Sequence, residues 1–124
     1  MGFKLNTSEK TEELLDRIAL STNLTWPILI KLSLALSLRQ NDSEQLNLNT
    51  DSRGKELGRQ QVTGEADALW KSLMEVQIGK HLSDDEFFPE YCKAHLDRGA
   101  VLLDQEYRYS NDLLSHLTKL HNSI

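Results

Sequence analysis

The sequence predicts a mainly α-helical fold with short β-strands. Three observations carry that expectation. Apolar residues recur at helical spacing in several separate stretches. Strand-like alternation is confined to short runs, residues 3–6 and 46–49. And 39% hydrophobic with 27% charged residues, over 124 positions, supplies one core without disulfide or metal staples.

Phe3-Lys4-Leu5-Asn6 alternates apolar and polar and predicts a short strand. Thr7 or Ser8 is placed to cap a helix whose first turn carries Glu9, Glu12 and Glu13, acids that favour its positive end. Leu14, Leu15, Ile18 and Ala19 form its apolar face. Asn23 tolerates the left-handed conformation that ends such a helix. Thr25 then caps a second helix, with Trp26 and Pro27 in its first turn, where proline is accommodated. This helix carries Ile28, Leu29, Ile30, Leu32, Leu34, Ala35, Leu36 and Leu38, so it is apolar on nearly every side and must be covered on every side. Two arrangements satisfy that: a central core helix, or a helix shared between the protomer's own core and a second subunit, with Ile28, Leu29, Leu32 and Leu36 at the interface.

Further on, residues 40–45 read as a polar loop. Leu46-Asn47-Leu48-Asn49 predicts a strand, with residues 55–62 returning as its hairpin partner. A third helix is expected over residues 65–78, with the stripe Ala66, Leu69, Trp70, Leu73, Met74 and Ile78, ending at Gly79. Ser83-Asp84-Asp85-Glu86 has the form of a capping box. A helix from Pro89 to about Asp97 follows, with a pause at Arg98-Gly99 and a continuation from Ala100 to Tyr107. Ser110 or Asn111 caps a last helix bearing Leu113, Leu114, Leu117 and Leu120. The expected organisation is a single domain over 1–124: a ribbon-helix-helix-like part at 3–39, a hairpin or loop at 40–63, a helical part at 64–106 and a tail at 107–124. In the ribbon-helix-helix architecture two strands pair across a dimer, and polar strand residues can enter the major groove of DNA. Lys4 and Asn6 are the outward strand residues here.

The net charge of −5 is unevenly spread. Residues 1–59 hold eight Lys/Arg and eight Asp/Glu, whereas residues 60–124 hold six and eleven. If phosphate is bound, the neutral first half should face it. The sequence therefore nominates Lys4, Asn6, Lys10, Arg17, Arg53, Lys55 and Arg59 as DNA-contacting residues. Each is weak alone, but an oligomer repeats the set. The single cysteine, Cys92, cannot form an internal disulfide, and cytosol is the expected compartment. No segment is long and apolar enough to read as a membrane span.

A family resemblance rests on specific residues. Leu14-Leu15-Asp16-Arg17, Leu24-Thr25, Leu34-Ala35-Leu36-Ser37-Leu38, Asp51-Ser52, Lys55-Glu56-Leu57, Thr63-Gly64-Glu65, Ala94-His95-Leu96-Asp97-Arg98-Gly99 and Leu102-Leu103 occur in that order over roughly residues 3–106. In this the chain resembles the DndE family, the small E component of DNA phosphorothioation systems, in which sulfur replaces a non-bridging phosphate oxygen. The resemblance implies a tetrameric accessory subunit without chemistry of its own and without a cofactor. It implies binding to duplex DNA, in particular at nicks, through surface lysines, beside the C and D components that carry the sulfur chemistry. Two features depart from the family pattern. Asn23 stands where the inter-helix turn usually has glycine, and the chain is acidic with sparse lysines.

Other constellations compete. Cys92 and His95 lie one helical turn apart, as a metal pair could, but a buried thiol and a hydrogen-bonded imidazole explain the spacing equally. Cys92 as a sulfur acceptor would need an electropositive setting, and Glu90 is close by. Asp84, Asp85 and Glu86 could serve a metal-dependent nickase or, as a helix cap, nothing but structure. No metal site is expected. His81, His116 and His121 belong to no ligand motif. The rival functions are a protein-assembly adaptor using the acidic second half, that nickase, and a ribbon-helix-helix repressor.

Overall fold

The computed structural model describes residues 3–40 and 46–122, with side chains described up to Asn111. Two strands and five α-helices follow in order: β1 (Lys4–Asn6), α1 (Glu9–Thr22), α2 (Trp26–Leu38), β2 (Glu56–Gly58), α3 (Arg59–Val62), α4 (Asp67–Ile78) and α5 (Cys92–Asn122). A 3₁₀ turn, Gly64–Ala66, leads into α4, and a wide π-type turn, Glu86–Tyr91, leads into α5.

The first forty residues fold as their pattern dictates. Leu5 of β1 is buried while Lys4 and Asn6 are exposed. The Ser8 hydroxyl accepts from the Thr11 N–H at the start of α1. Asn23 sits at φ 60°, ψ 16° and its N–H donates to the Ala19 carbonyl, closing the helix as glycine would. Thr25 occupies the N-cap of α2, but its side chain makes no capping bond there.

The α2 helix packs chiefly on α5. At their crossing Gly99 lies against Ser33: a Cβ on Gly99 would stand 1.8 Å from the Ser33 carbonyl oxygen. The glycine that read as a pause is thus the point of closest helix approach, and α5 runs through it unbroken for 31 residues. Leu15, Ile18, Leu29, Ile30, Leu34, Leu57, Phe87, Phe88 and Leu96 are fully buried in one core cluster. Each such side chain contributes about 1.5–3 kcal/mol by leaving water.

Several expectations are corrected. Residues 46–49 form a turn, not a strand: the Asn47 side chain accepts from the Asn49 N–H, 2.9 Å, an internal bond that competes with a ladder. The partner of β2 is β1, antiparallel, with Lys4 opposite Gly58, Leu5 opposite Leu57 and Asn6 opposite Glu56. One edge of β1 is therefore filled within the chain, not by a second subunit. Residues 59–62 are helical. Pro89 follows a cis peptide inside the π-type turn, and the regular helix starts at Cys92. Ser110 and Asn111 cap nothing, because α5 continues through them. Leu29, expected at an interface, is wholly buried within the chain, whereas Ile28 and Leu32 are 45% and 41% exposed and Leu36 is half-buried. The expected polar loop at 41–45 and the side chains of Leu113, Leu114, His116, Leu117, Leu120 and His121 lie outside the described residues.

Candidate DNA-facing surface

The β1–β2 ribbon displays Lys4 and Asn6 on its outer face because Leu5 and Leu57 take the inner one. Lys4 pairs with Glu56 at 3.0 Å, both side chains more than half exposed. Just before β2, the Lys55 ammonium sits 4.6 Å over the Trp26 ring. That indole donates to the Asp16 carboxylate at 2.9 Å, which fixes the ring at the head of α2. Trp26 is thus an anchor for a surface lysine and not a free stacking platform.

The ribbon leads to the start of α1. Asp51 accepts from the Glu9 N–H, 2.9 Å, and from the Arg53 N–H, 3.1 Å. These bonds, that from Glu9 foremost, hold its carboxyl below the ordinary carboxylate range. Arg53 extends past Asp51 to Glu9, 3.4 Å, and is 75% exposed. Lys10 is exposed at the rim of an open cavity of about 450 Å³ that is lined also by Ser8, Thr50, Asp51, Asp97 and Arg98. Lys4, Asn6, Lys10, Arg53 and Lys55 are therefore all exposed on the ribbon and the adjoining start of α1. Exposed ion pairs contribute ~0.2–1 kcal/mol, so the pairs of Lys4 and Arg53 can be exchanged for phosphate at little cost.

Arg59 does not belong to that set. Its guanidinium is only 19% exposed, bonds Asp67 and Asp84 at 2.9–3.1 Å, and lies over Phe87 and Phe88. The Asp67 and Asp84 hydrogen bonds raise its already high pKa further. In return, the Arg59 bonds hold both carboxyls below their usual range. The side chain ties the start of α3 to α4 and to the segment before the π-type turn, and its charge is spent there. Arg17 is half engaged in the same manner. It pairs with Asp104, which also pairs with Arg108 at 3.0 Å.

Behind the surface lies a polar network that sequence reasoning missed. Asp97, 6% exposed, accepts from the Ser8 N–H (3.1 Å), the Thr11 hydroxyl (2.6 Å), the Thr50 hydroxyl (2.5 Å) and the Lys93 ammonium (2.7 Å). Lys93 also donates to the Asp51 carbonyl, 2.6 Å. One buried carboxylate thus fastens α5 to the start of α1 and to the 46–51 turn. Two residues earlier and one later, His95 and Arg98 converge on Ser37 of α2. Arg98 donates to the Ser37 hydroxyl oxygen (2.8 Å) and carbonyl (2.7 Å). The hydroxyl proton is then left for His95 Nδ1, 2.7 Å away. Burial, helped by the Arg98 charge, pushes the His95 pKa down to about 4, so the ring is a neutral acceptor. With Gly99 against Ser33, the run His95, Asp97, Arg98, Gly99 accounts for the α5 docking of both α1 and α2. The available signal was the placing of His95, Asp97 and Arg98 beside the small residues Ala94, Gly99 and Ala100.

The rival constellations resolve into structure. Ser83 and Glu86 cap each other, 2.9 and 3.2 Å, as their spacing predicts. Asp84 is held by Arg59. Cys92 is fully buried, and burial pushes its thiol far above the usual range. His81 pairs with Glu75 at 2.7 Å on the surface. No group of three or more His, Cys, Asp or Glu among the described residues could hold a metal ion. No single helix there is long and apolar enough to cross a membrane.

A family model described as DNA sulphur modification protein DndE matches residues 4–111. The chain belongs to the DndE family. Membership links it to DNA sulphur modification. Among solved structures, it is similar to DndE from Escherichia coli B7A, described as involved in DNA phosphorothioation modification. The two share 17% sequence identity with a TM-score of 0.62, over 81% of this chain and 96% of the other. At that identity the likeness establishes the DndE fold. No curated protein matches the chain.

Proposed function

We propose that this chain is a non-catalytic accessory subunit of a DNA phosphorothioation system, which holds duplex DNA, preferentially at nicks, while the C and D components act. The observation that carries the reading is the set of exposed polar and basic side chains Lys4, Asn6, Lys10, Arg53 and Lys55, gathered on one ribbon and one helix start within a DndE fold. One such patch is weak. Phosphate contacts add, and each contributes roughly −0.9 to the slope of log affinity against log salt. A tetramer built through the exposed Ile28 and Leu32 and the half-buried Leu36 would present the patch four times. The acidic second half then stays off the DNA.

A second reading has its own support. Lys4, Arg17, Arg53 and Arg59 all pair with the chain's own carboxylates, which lowers the positive potential a phosphate would meet. That balance favours an adaptor whose acidic face docks basic partner proteins. The experiment that separates the two is charge reversal of Lys10, Arg53 and Lys55 together. The DNA reading predicts a loss of affinity of at least tenfold and a shallower salt slope. An unchanged titration would contradict the assignment of the surface.

A further inference from the structure

The cations nominated for DNA differ in what already holds them. Lys10 makes no ion pair among the described residues, and Lys55 rests on the Trp26 ring with no carboxylate of the described residues on its ammonium. Lys4 and Arg53 are occupied. Glu56 Oε1 lies 3.0 Å from the Lys4 ammonium, and Glu9 Oε2 lies 3.4 Å from the Arg53 guanidinium. All four side chains of these two pairs are more than half exposed.

The acids around the set divide in the same way. Asp51 accepts the Glu9 and Arg53 N–H groups, and Asp16 accepts the Trp26 indole N–H, so each of these carboxylates fixes a piece of the fold. Glu9 and Glu56 fix nothing of that kind among the described residues: each carboxylate meets one basic side chain and is otherwise open to solvent. Glu56 stands opposite Asn6 and points outward because Leu57 beside it is buried, so it shares the ribbon face of Lys4. A carboxylate against an ammonium or guanidinium makes the same charge-assisted contact that a phosphate oxygen would make.

We infer that Glu9 and Glu56 are intramolecular stand-ins for DNA phosphate and set the affinity of the basic set for duplex DNA. The inference rests on the DNA reading above and adds an order of events to it. A duplex first meets Lys10 and Lys55, which no carboxylate of the described residues covers. It then exchanges Glu56 and Glu9 for its own phosphates at Lys4 and Arg53. The contacts already made turn those exchanges into intramolecular steps at high local concentration. Opening one exposed ion pair lowers affinity about 1.4- to 5-fold, and opening two lowers it roughly 2- to 25-fold.

The test titrates full-length variants with a nicked duplex by fluorescence anisotropy at one low salt concentration. Glu9→Gln with Glu56→Gln is set against Glu13→Gln with Glu65→Gln. Glu13 and Glu65 are exposed and make no ion pair among the described residues, so both double variants lose the same charge but only the first frees cations. The expected result is binding at least about twofold tighter in the first variant than in the second, with Tm close to the parent in both. Glu56→Gln should tighten binding while Lys4 is present and lose that gain in a Lys4→Gln background. Equal affinities in the two double variants would overturn the inference. So would a gain from Glu56→Gln that persists without Lys4, or a lowered Tm with no gain in affinity, which would make the two acids braces of the fold. Failure of the DNA reading looks different: reversing Lys10, Arg53 and Lys55 would then leave the titration unchanged, and this inference would fall with it.

Discussion

Replacing Gly99 by alanine sets two effects of opposite sign against each other. Gly99 lies inside α5, where alanine is normally favoured by about 1 kcal/mol. Against that, the added Cβ would stand 1.8 Å from the Ser33 carbonyl oxygen and 2.4 Å from its carbon. A comfortable contact is about 3.5 Å, so the α2 and α5 backbones must part by well over an ångström. Neither backbone can rotate aside as a side chain would. The side chains flanking the crossing, Leu29, Leu34, Leu96 and Ala100, are fully buried, and parting the helices thins their packing. Overpacking of this kind costs about 1–3 kcal/mol, and an obstacle made of backbone belongs at the upper end. The balance is a loss of about 2 kcal/mol. For a chain of this length that lowers Tm by roughly 8 °C. Thermal and urea melts of Gly99→Ala would read it directly. Gly58→Ala serves as the control, because its added Cβ meets only Gln61 Oε1 at 3.7 Å, and its stability should hold within about 0.5 kcal/mol. A Gly99→Ala protein as stable as the parent would refute the close-approach argument.

Three further outcomes follow from the polar network. His95 has a folded-state pKa of about 4 against an ordinary 6.5, so the unfolded chain binds the proton first. Stability is then fully present above pH 6.5 and falls as pH drops toward 4, by about 3 kcal/mol at most; urea midpoints across that window should flatten in His95→Gln. Asp97→Ala strands the Lys93 ammonium and three other donors and should cost about 3–5 kcal/mol, with faster amide exchange over residues 46–51 than in the parent. Arg59→Met should lower Tm but leave the salt slope of DNA binding untouched, since its guanidinium is committed to Asp67 and Asp84; a shallower slope would return Arg59 to the binding surface.

Local chemistry was legible in the sequence wherever it acts over one turn. The Ser8 cap, the left-handed Asn23, the Ser83–Glu86 box and the stripe of α1 all emerge from residues a few positions apart, whereas of the stripe expected on α4 only Trp70, Met74 and Ile78 face the core and Leu69 and Leu73 are exposed. Pairings across the chain were not legible. Nothing local distinguishes a β2 that pairs with residues 46–49 from one that pairs with β1 fifty residues away, because both partners alternate in the same way. Arg59 resembled Arg53 and Lys55 for the same reason. Its two acids are 8 and 25 residues distant, and only the fold brings them within 3 Å. Gly99 was read as a break because a glycine in a helix usually costs stability; the gain that offsets it comes from Ser33 on another helix. The Asp97 hub was invisible because its four donors come from α1, from the 46–51 turn and from α5 itself. The nominated polar and basic set stays a reading of charge, and the fold adds that five of its seven residues, Lys4, Asn6, Lys10, Arg53 and Lys55, are exposed.

The central claim is that this surface holds DNA, and the most direct measurement is a fluorescence-anisotropy titration with intact and nicked duplexes of one sequence at two salt concentrations. Light scattering on the same samples gives the mass. The account predicts salt-sensitive binding by an oligomer, tighter on the nicked duplex and weakened at least tenfold by reversing Lys10, Arg53 and Lys55. A folded oligomer that binds neither duplex at low salt would contradict it and leave the adaptor reading in its place.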